Sequence, residues 1–238
     1  RRTRRPQNGD RQLSADATAA PLSNVELGLV LSGGGSRAAY QVGALKALQH
    51  HIERDGVPIS IITGSSIGSV NGLTLAACLK NGLSAAIEEL EAIWLKRTFR
   101  NTFDGSPSGT FFRAIKMAIE KYMAGAEPSP TDDAIFDPTP LMRRIDTVIE
   151  KHGGLSPETR APSLHSIGVM TTMEGSERKP LLFLSTSKGI PEDAMQGASF
   201  EVYEHNLLTA KHAFASAALP SVLPPVEIHV QDSKVRLV

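Results

Sequence analysis

The chain has 238 residues, and its 25 Lys and Arg balance 25 Asp and Glu, so the formal net charge is zero. That balance excludes a generally basic nucleic-acid binder and an acidic tail protein. A single cysteine, Cys78, excludes an internal disulfide framework and leaves no CxxC pair for a metal.

Residues 1–24 read as a disordered basic leader. Arg1, Arg2, Arg4, Arg5 and Arg11 precede a small polar run with little to bury. The run lacks the apolar stretch of a secretory signal, and a start without Met suggests that something upstream has been removed. The folded domain is expected to span 25–238. VELGLVLS reads as a buried strand running into a glycine cluster. The segment SRAAYQVGALKALQHHIER reads as a helix, because Ala39, Val42, Leu45 and Leu48 recur on one face. A second strand, VPISIIT, leads to Gly64, and a second helix runs through IGSVNGLTLAACLK. Strand, helix, strand, helix implies parallel strands joined by right-handed crossovers. Further helices are expected at 83–97, 108–124 and 138–151, and further strands at 164–172, 180–186, 225–230 and 234–238. The Gly-, Pro-, Ser- and Asp-rich stretch 100–137 reads as a flexible insertion. No repeat and no second core is evident, which predicts one large α/β domain. No apolar run reaches the roughly 18 residues of a membrane span, so membrane contact is expected to be peripheral.

Two glycine motifs carry chemistry. Gly33-Gly34-Gly35-Ser36-Arg37-Ala38 fits the dinucleotide pattern GxGxx(G/A), and Asp55 follows at about the 20-residue spacing of a ribose-binding acid. That acid should end the second strand, however, whereas Asp55 precedes it. Read more broadly, a glycine loop feeding a helix offers backbone N–H groups to an anion, either a phosphate or a transient oxyanion. Gly64-Ser65-Ser66-Ile67-Gly68 is a GxSxG sequence between a strand and a helix. A serine there needs a sharp turn with small neighbours, and the helix dipole favours negative charge at it. With an upstream loop able to supply oxyanion donors, the pair points to acyl transfer.

LSGGGSRAAYQVGAL followed by GSSIGSVNG resembles the patatin-like phospholipase family. A third signature, Ala215-Ser216-Ala217-Ala218-Leu219-Pro220 then Pro224-Pro225-Val226, matches as well, and Phe136-Asp137-Pro138-Thr139-Pro140-Leu141 is similar to a short family segment. The resemblance implies a three-layer α/β/α sandwich with a mostly parallel sheet. It also implies a Ser–Asp dyad that hydrolyses acyl esters of phospholipids or neutral lipids at a membrane surface, without cofactor or metal. Carried over by residue, Ser66 is the nucleophile and Gly33, Gly34 and Gly35 supply the oxyanion hole. Gly64 and Gly68 support the turn, and Arg37 takes the family's arginine position. The family's base is an aspartate in a D-G-[GA] motif after the Pro-Pro-Val segment. The only DG pairs here, Asp55-Gly56 and Asp104-Gly105, come too early. The base is therefore expected from a C-terminal segment or a second chain. A catalytically silent lipid- or protein-binding module is the alternative reading. Asp232 reads as a hairpin-turn residue. The absence of a secretion signal leads to an expected cytoplasmic location, peripheral at a membrane.

Among the seven histidines, His205, His212 and His229 fall late enough to act as a base in a Ser-Asp-His hydrolase. Against this, the elbow follows only the second strand, so each is expected to be a packing or surface residue. Phe111, Phe112, Ile115, Ala118, Ile119, Tyr122 and Met123 form one helical face, expected to pack into the core, with a lipid-facing lid as the other reading. Cys78 and Trp94 are expected to be an inert buried thiol and a helix anchor.

Overall fold

The computed structural model describes residues 25–123, 134–175, 178–190, 198–230 and 233–238. The leader at 1–24 and the turn residue Asp232 lie outside them. Strand β1 (Leu27–Leu31) leads through a glycine loop and one 3₁₀ turn into α1 (Ala39–Asp55), then β2 (Ile59–Ser65) and α2 (Ile67–Cys78). α3 (Leu83–Leu95), the single turn α4 (Phe99–Thr102), α5 (Pro107–Met123) and α6 (Thr139–Lys151) follow. The chain then forms β3 (Ser166–Thr172), β4 (Pro180–Thr186), β5 (Glu201–Glu204), α7 (Ala210–Ala217), β6 (Val226–Val230) and β7 (Ser233–Leu237).

The central sheet has the order β1-β2-β3-β4-β5. β1 pairs parallel with β2, β2 with β3, and β4 with β5, while β3 and β4 are antiparallel. The reversal has a local cause. Residues 173–179 are too few for a crossover, which takes a dozen or more, so β4 must fold back on β3. β6 and β7 form a separate antiparallel hairpin, tied to the end of β3 by the Met173–Leu237 bridge and by Val238 N–H on Thr172 O at 2.9 Å.

Alternation along the strands gives the sheet two unlike faces. Leu31, Ile62, Ile167, Val169, Leu181 and Phe183 are buried on one of them. α2 and α7 lie against that face, and α3 and α6 pack outside them. Every residue of α2 is buried, including Ser69, Asn71 and Thr74, whose side chains are hydrogen-bonded. Its small residues allow the close approach: a Cβ on Gly72 would stand 3.2 Å from Ile62 Cγ2. The opposite sheet face leaves Val30 83% exposed. The fold is therefore mixed α/β with a mostly parallel central sheet, and a second helical layer is not among the described residues.

Three expectations change. The helix expected at 108–124 is present as α5 (Pro107–Met123), and the single turn α4 (Phe99–Thr102) shows that the stretch 100–137 is not simply a flexible insertion; 124–133 lie outside the described residues. Strand β5 is additional, as is α7, whose Thr209 and His212 form a capping box. On α5 the residues expected in the core are instead exposed at Phe111, Phe112, Ile115 and Ile119, while the side chains of Tyr122 and Met123 lie outside the described residues.

Candidate active site

β2 and α2 meet at Ser66, whose φ of 53° and ψ of −132° lie where L-residues are strained. Glycine on either side makes the turn possible. A Cβ on Gly64 would run into the Ser69 backbone, 2.6 Å from its nitrogen, and one on Gly68 would collide with Leu31 O and come within 2.6 Å of Ser32 O. Hydrogen bonds hold the strained residue from two sides. Ser66 N–H donates to Ser216 Oγ at 2.7 Å, and the Ser216 hydroxyl donates to Met170 O in β3. Ser66 O accepts from Ser69 N–H at 2.9 Å and from Ser69 Oγ at 2.5 Å. Ser66 is half-buried, so its hydroxyl is within reach of a ligand.

The loop at 33–35 lies directly beside it. A Cβ on Gly33 would stand 3.0 Å from Ser66 Cβ and 3.7 Å from Ser66 Oγ. Gly35 takes a φ of 56°, which suits glycine. Gly34, with φ 169° and ψ 10°, has room for a Cβ, so an added side chain meets a close neighbour only at Gly33. Among the described residues, the N–H groups of Gly33, Gly34 and Gly35 meet no protein acceptor. Gly33 adjoins the serine hydroxyl, and unpaired N–H groups on its loop can donate to an anion. The Arg37 side chain is exposed, and its N–H closes the turn on Gly34 O at 3.2 Å.

A buried network fixes this loop to α2. Asn71, 1% exposed, donates from Nδ2 to Ala38 O at 3.1 Å and to Gln41 Oε1 at 2.8 Å, and accepts from Trp94 Nε1 at 2.9 Å. Gln41 Nε2 donates to Ser32 O at 2.7 Å. Asn71, Gln41 and Ser69 were not singled out in the sequence, and Ser216 was noted only as part of a signature; no spacing rule connects residues so far apart. Asp55 ends α1, about 24 Å from the start of that 17-residue helix, and pairs with Arg54. The ribose-acid reading of the glycine loop fails on that distance.

The late histidines do other work. His212 Nδ1 accepts from Thr209 N–H at 3.2 Å as part of the α7 cap, and its ring lies 5.0 Å from that of Phe183. Burial, with His205 and Lys211 nearby, lowers its pKa to about 4. His229 is exposed on β6, opposite Lys234. The acids at the helix starts are engaged as well: Asp137 accepts from Thr139 N–H and Asp146 from Ala210 N–H. Among the described residues, no imidazole or carboxylate hydrogen-bonds to Ser66 Oγ. Burial pushes the Cys78 thiol up to about 11, as expected of an inert core cysteine.

Known proteins resemble the chain both locally and across most of its length. Lysophospholipase nte1 of Aspergillus terreus is 54% identical over 50 residues, covering 21% of this chain and 3% of that protein. A patatin-like phospholipase domain-containing protein of Caenorhabditis elegans is 43% identical over 63 residues, 26% of this chain and 4% of that one. The matched stretches are thus a small part of these relatives. Among solved structures, VipD from Legionella pneumophila aligns with a TM-score of 0.45 at 14% identity, covering 89% of this chain and 45% of its own. Full-length ExoU of Pseudomonas aeruginosa, solved in complex with SpcU, aligns at 0.40 and 17% identity, over 82% of this chain and 38% of its own. The model of the patatin-like phospholipase family matches residues 29–235, and the chain belongs to that family.

Proposed function

We propose that the protein is a serine lipid acyl hydrolase of the phospholipase A or lipase type, cleaving carboxylic esters of phospholipids or neutral lipids through an acyl-enzyme on Ser66. One observation carries the reading: a serine held at positive φ with its Oγ beside a glycine loop whose N–H groups are unpaired. Ser66 Oγ attacks the ester carbonyl and its proton passes to a base. The N–H groups of Gly33, Gly34 and Gly35 hold the tetrahedral oxyanion, with one such donor worth about 10²–10³ in rate. The leaving alcohol takes the proton, and water then releases the fatty acid by the reverse sequence.

The base is assigned to an aspartate on a segment that continues from β7 or on a second chain. Support comes from the location of β7: Val238 bonds to Thr172, two residues along β3 from Met170, which holds Ser216 and through it Ser66. Cytoplasmic action at the surface of a membrane belongs to the same proposal. Among the described residues no helix is long and apolar enough to cross a membrane.

The second reading, a silent lipid- or protein-binding module, is favoured by the lack of a base at Ser66 Oγ among the described residues. Fatty-acid release separates the two. Parent and Ser66→Ala proteins are given monoacyl and diacyl phospholipids and a triacylglycerol. The enzyme reading predicts release by the parent alone. Equal release by both, or none by either once the segment or chain that carries the base is supplied, contradicts it.

A further inference from the structure

Trp94 gives the hydrogen-bond network beside Ser66 a direction. An indole N–H donates and cannot accept. Trp94 Nε1 on α3 donates to Asn71 Oδ1 at 2.9 Å, so Asn71 must turn Nδ2 the other way, toward Ala38 O and Gln41 Oε1. With Oε1 taken up in this way, Gln41 presents Nε2 to the glycine loop and donates to Ser32 O at 2.7 Å. Every bond from Trp94 to Ser32 thus runs in one sense, and bonds aligned like this polarise one another. Arg97 lies over the Trp94 ring at 4.8 Å and helps to hold the first donor in place.

The series ends on the peptide that carries the Gly33 N–H. No peptide bond among the described residues is cis, and in a trans peptide the carbonyl and the following N–H point in opposite directions. Ser32 O faces Gln41, which is half-buried and anchored on Asn71, 1% exposed. The Gly33 N–H therefore faces away from that covered side. Gly33 is exposed, and its N–H meets no acceptor among the described residues. A Cβ on Gly33 would stand 3.7 Å from Ser66 Oγ. Of the peptides that carry the three loop donors, this is the one whose carbonyl a side chain holds; the Gly34 carbonyl takes the turn bond from Arg37 N–H.

We propose that Gln41 is a positioning residue for acyl transfer at Ser66: by holding Ser32 O it aims the Gly33 N–H at the developing oxyanion and strengthens it as a donor. The inference deepens the proposed hydrolase function and rests on that reading.

Two variants of matching length test it. Gln41→Met keeps a good helix former and loses both bonds. Gln41→Glu keeps the acceptor for Asn71 but sets a carboxylate oxygen against Ser32 O, and only its protonated form can donate there. Amide NMR reads the peptide directly. The Gly33 nitrogen resonance should move upfield in Gln41→Met. In Gln41→Glu it should return toward the parent position as the pH falls through the carboxylate range, with no such return in Gln41→Met. Fatty-acid release, with the segment or chain that carries the base supplied, should show kcat lower by about tenfold or more in Gln41→Met and KM unchanged. A Gly33 resonance that Gln41→Met leaves in place overturns the proposal. So does a kcat equal to the parent's, or a loss that falls on KM instead. A parent that releases no fatty acid contradicts the enzyme reading, and the Gly33 resonance still decides whether Gln41 directs that donor.

Discussion

Ser66 and Ser216, 150 residues apart in sequence, are joined by a 2.7 Å hydrogen bond from the backbone N–H of the first to the hydroxyl of the second. The Ser216 hydroxyl in turn donates to Met170 O, so the strained turn is fastened to α7 and to β3 at once. Ser216→Ala leaves both a buried N–H and a carbonyl without their partner. The expected cost is about 1–3 kcal/mol of stability. In an active form, kcat should fall about tenfold with KM little changed, because the turn loses position rather than substrate contact. Thermal unfolding and steady-state kinetics of the variant check both.

The glycines should not be equivalent. At Gly64 and Gly68 an added methyl meets backbone that cannot yield, so alanine at either is expected to cost more than about 4 kcal/mol and to yield little folded protein. Gly35→Ala meets nothing but must hold φ at 56°, a strain of about 1–2 kcal/mol. Gly43 in α1 has open space and helical backbone, so Gly43→Ala should stabilise by about 0.5–1 kcal/mol. Denaturant midpoints of the four variants give the ranking directly.

Asn71 satisfies Trp94 Nε1, Ala38 O and Gln41 Oε1 with one side-chain amide. Asn71→Leu has a similar size but makes none of these bonds, and is expected to cost about 2–4 kcal/mol. Because Gln41 holds Ser32 O, the 33–35 loop should loosen as well. Hydrogen exchange at Gly33, Gly34 and Gly35, faster in the variant than in the parent, would register it.

His212 gives a pH dependence of defined sign. Its pKa is lowered to about 4 in the fold, against about 6.5 in the unfolded chain. The stability that comes with keeping the ring neutral is complete above about pH 6.5 and is lost as the pH falls through 4, with a magnitude of about 3 kcal/mol at most. His212→Gln offers Thr209 N–H an acceptor and has no proton to gain. Its unfolding free energy should therefore fall less between pH 6.5 and 4 than the parent's, as measured by urea titration at each pH.

The sheet, the central helices and the serine turn were readable because their signals are local. An apolar run ending in glycines, followed by helical spacing, fixes β1, β2, α1 and α2 without reference to distant residues. The β3–β4 reversal was not read from the sequence, although residues 173–179 leave no room for a crossover. β5 is too short and polar to register as a strand, and α7 is capped by Thr209 and His212 rather than by the usual Ser/Thr and Glu pair. The network through Ser216, Met170, Asn71 and Trp94 joins residues far apart in sequence, so no spacing could reveal it. α5 misled because periodicity shows that a helix has an apolar face, not which way the fold turns it.

Fluorophosphonate labelling with peptide mass mapping, on the protein and its Ser66→Ala variant, tests the central claim most directly. The account predicts one adduct, on the peptide carrying Ser66, and none in the variant. Covalent labelling at another residue with Ser66 unmodified, or an adduct that survives Ser66→Ala, would contradict it.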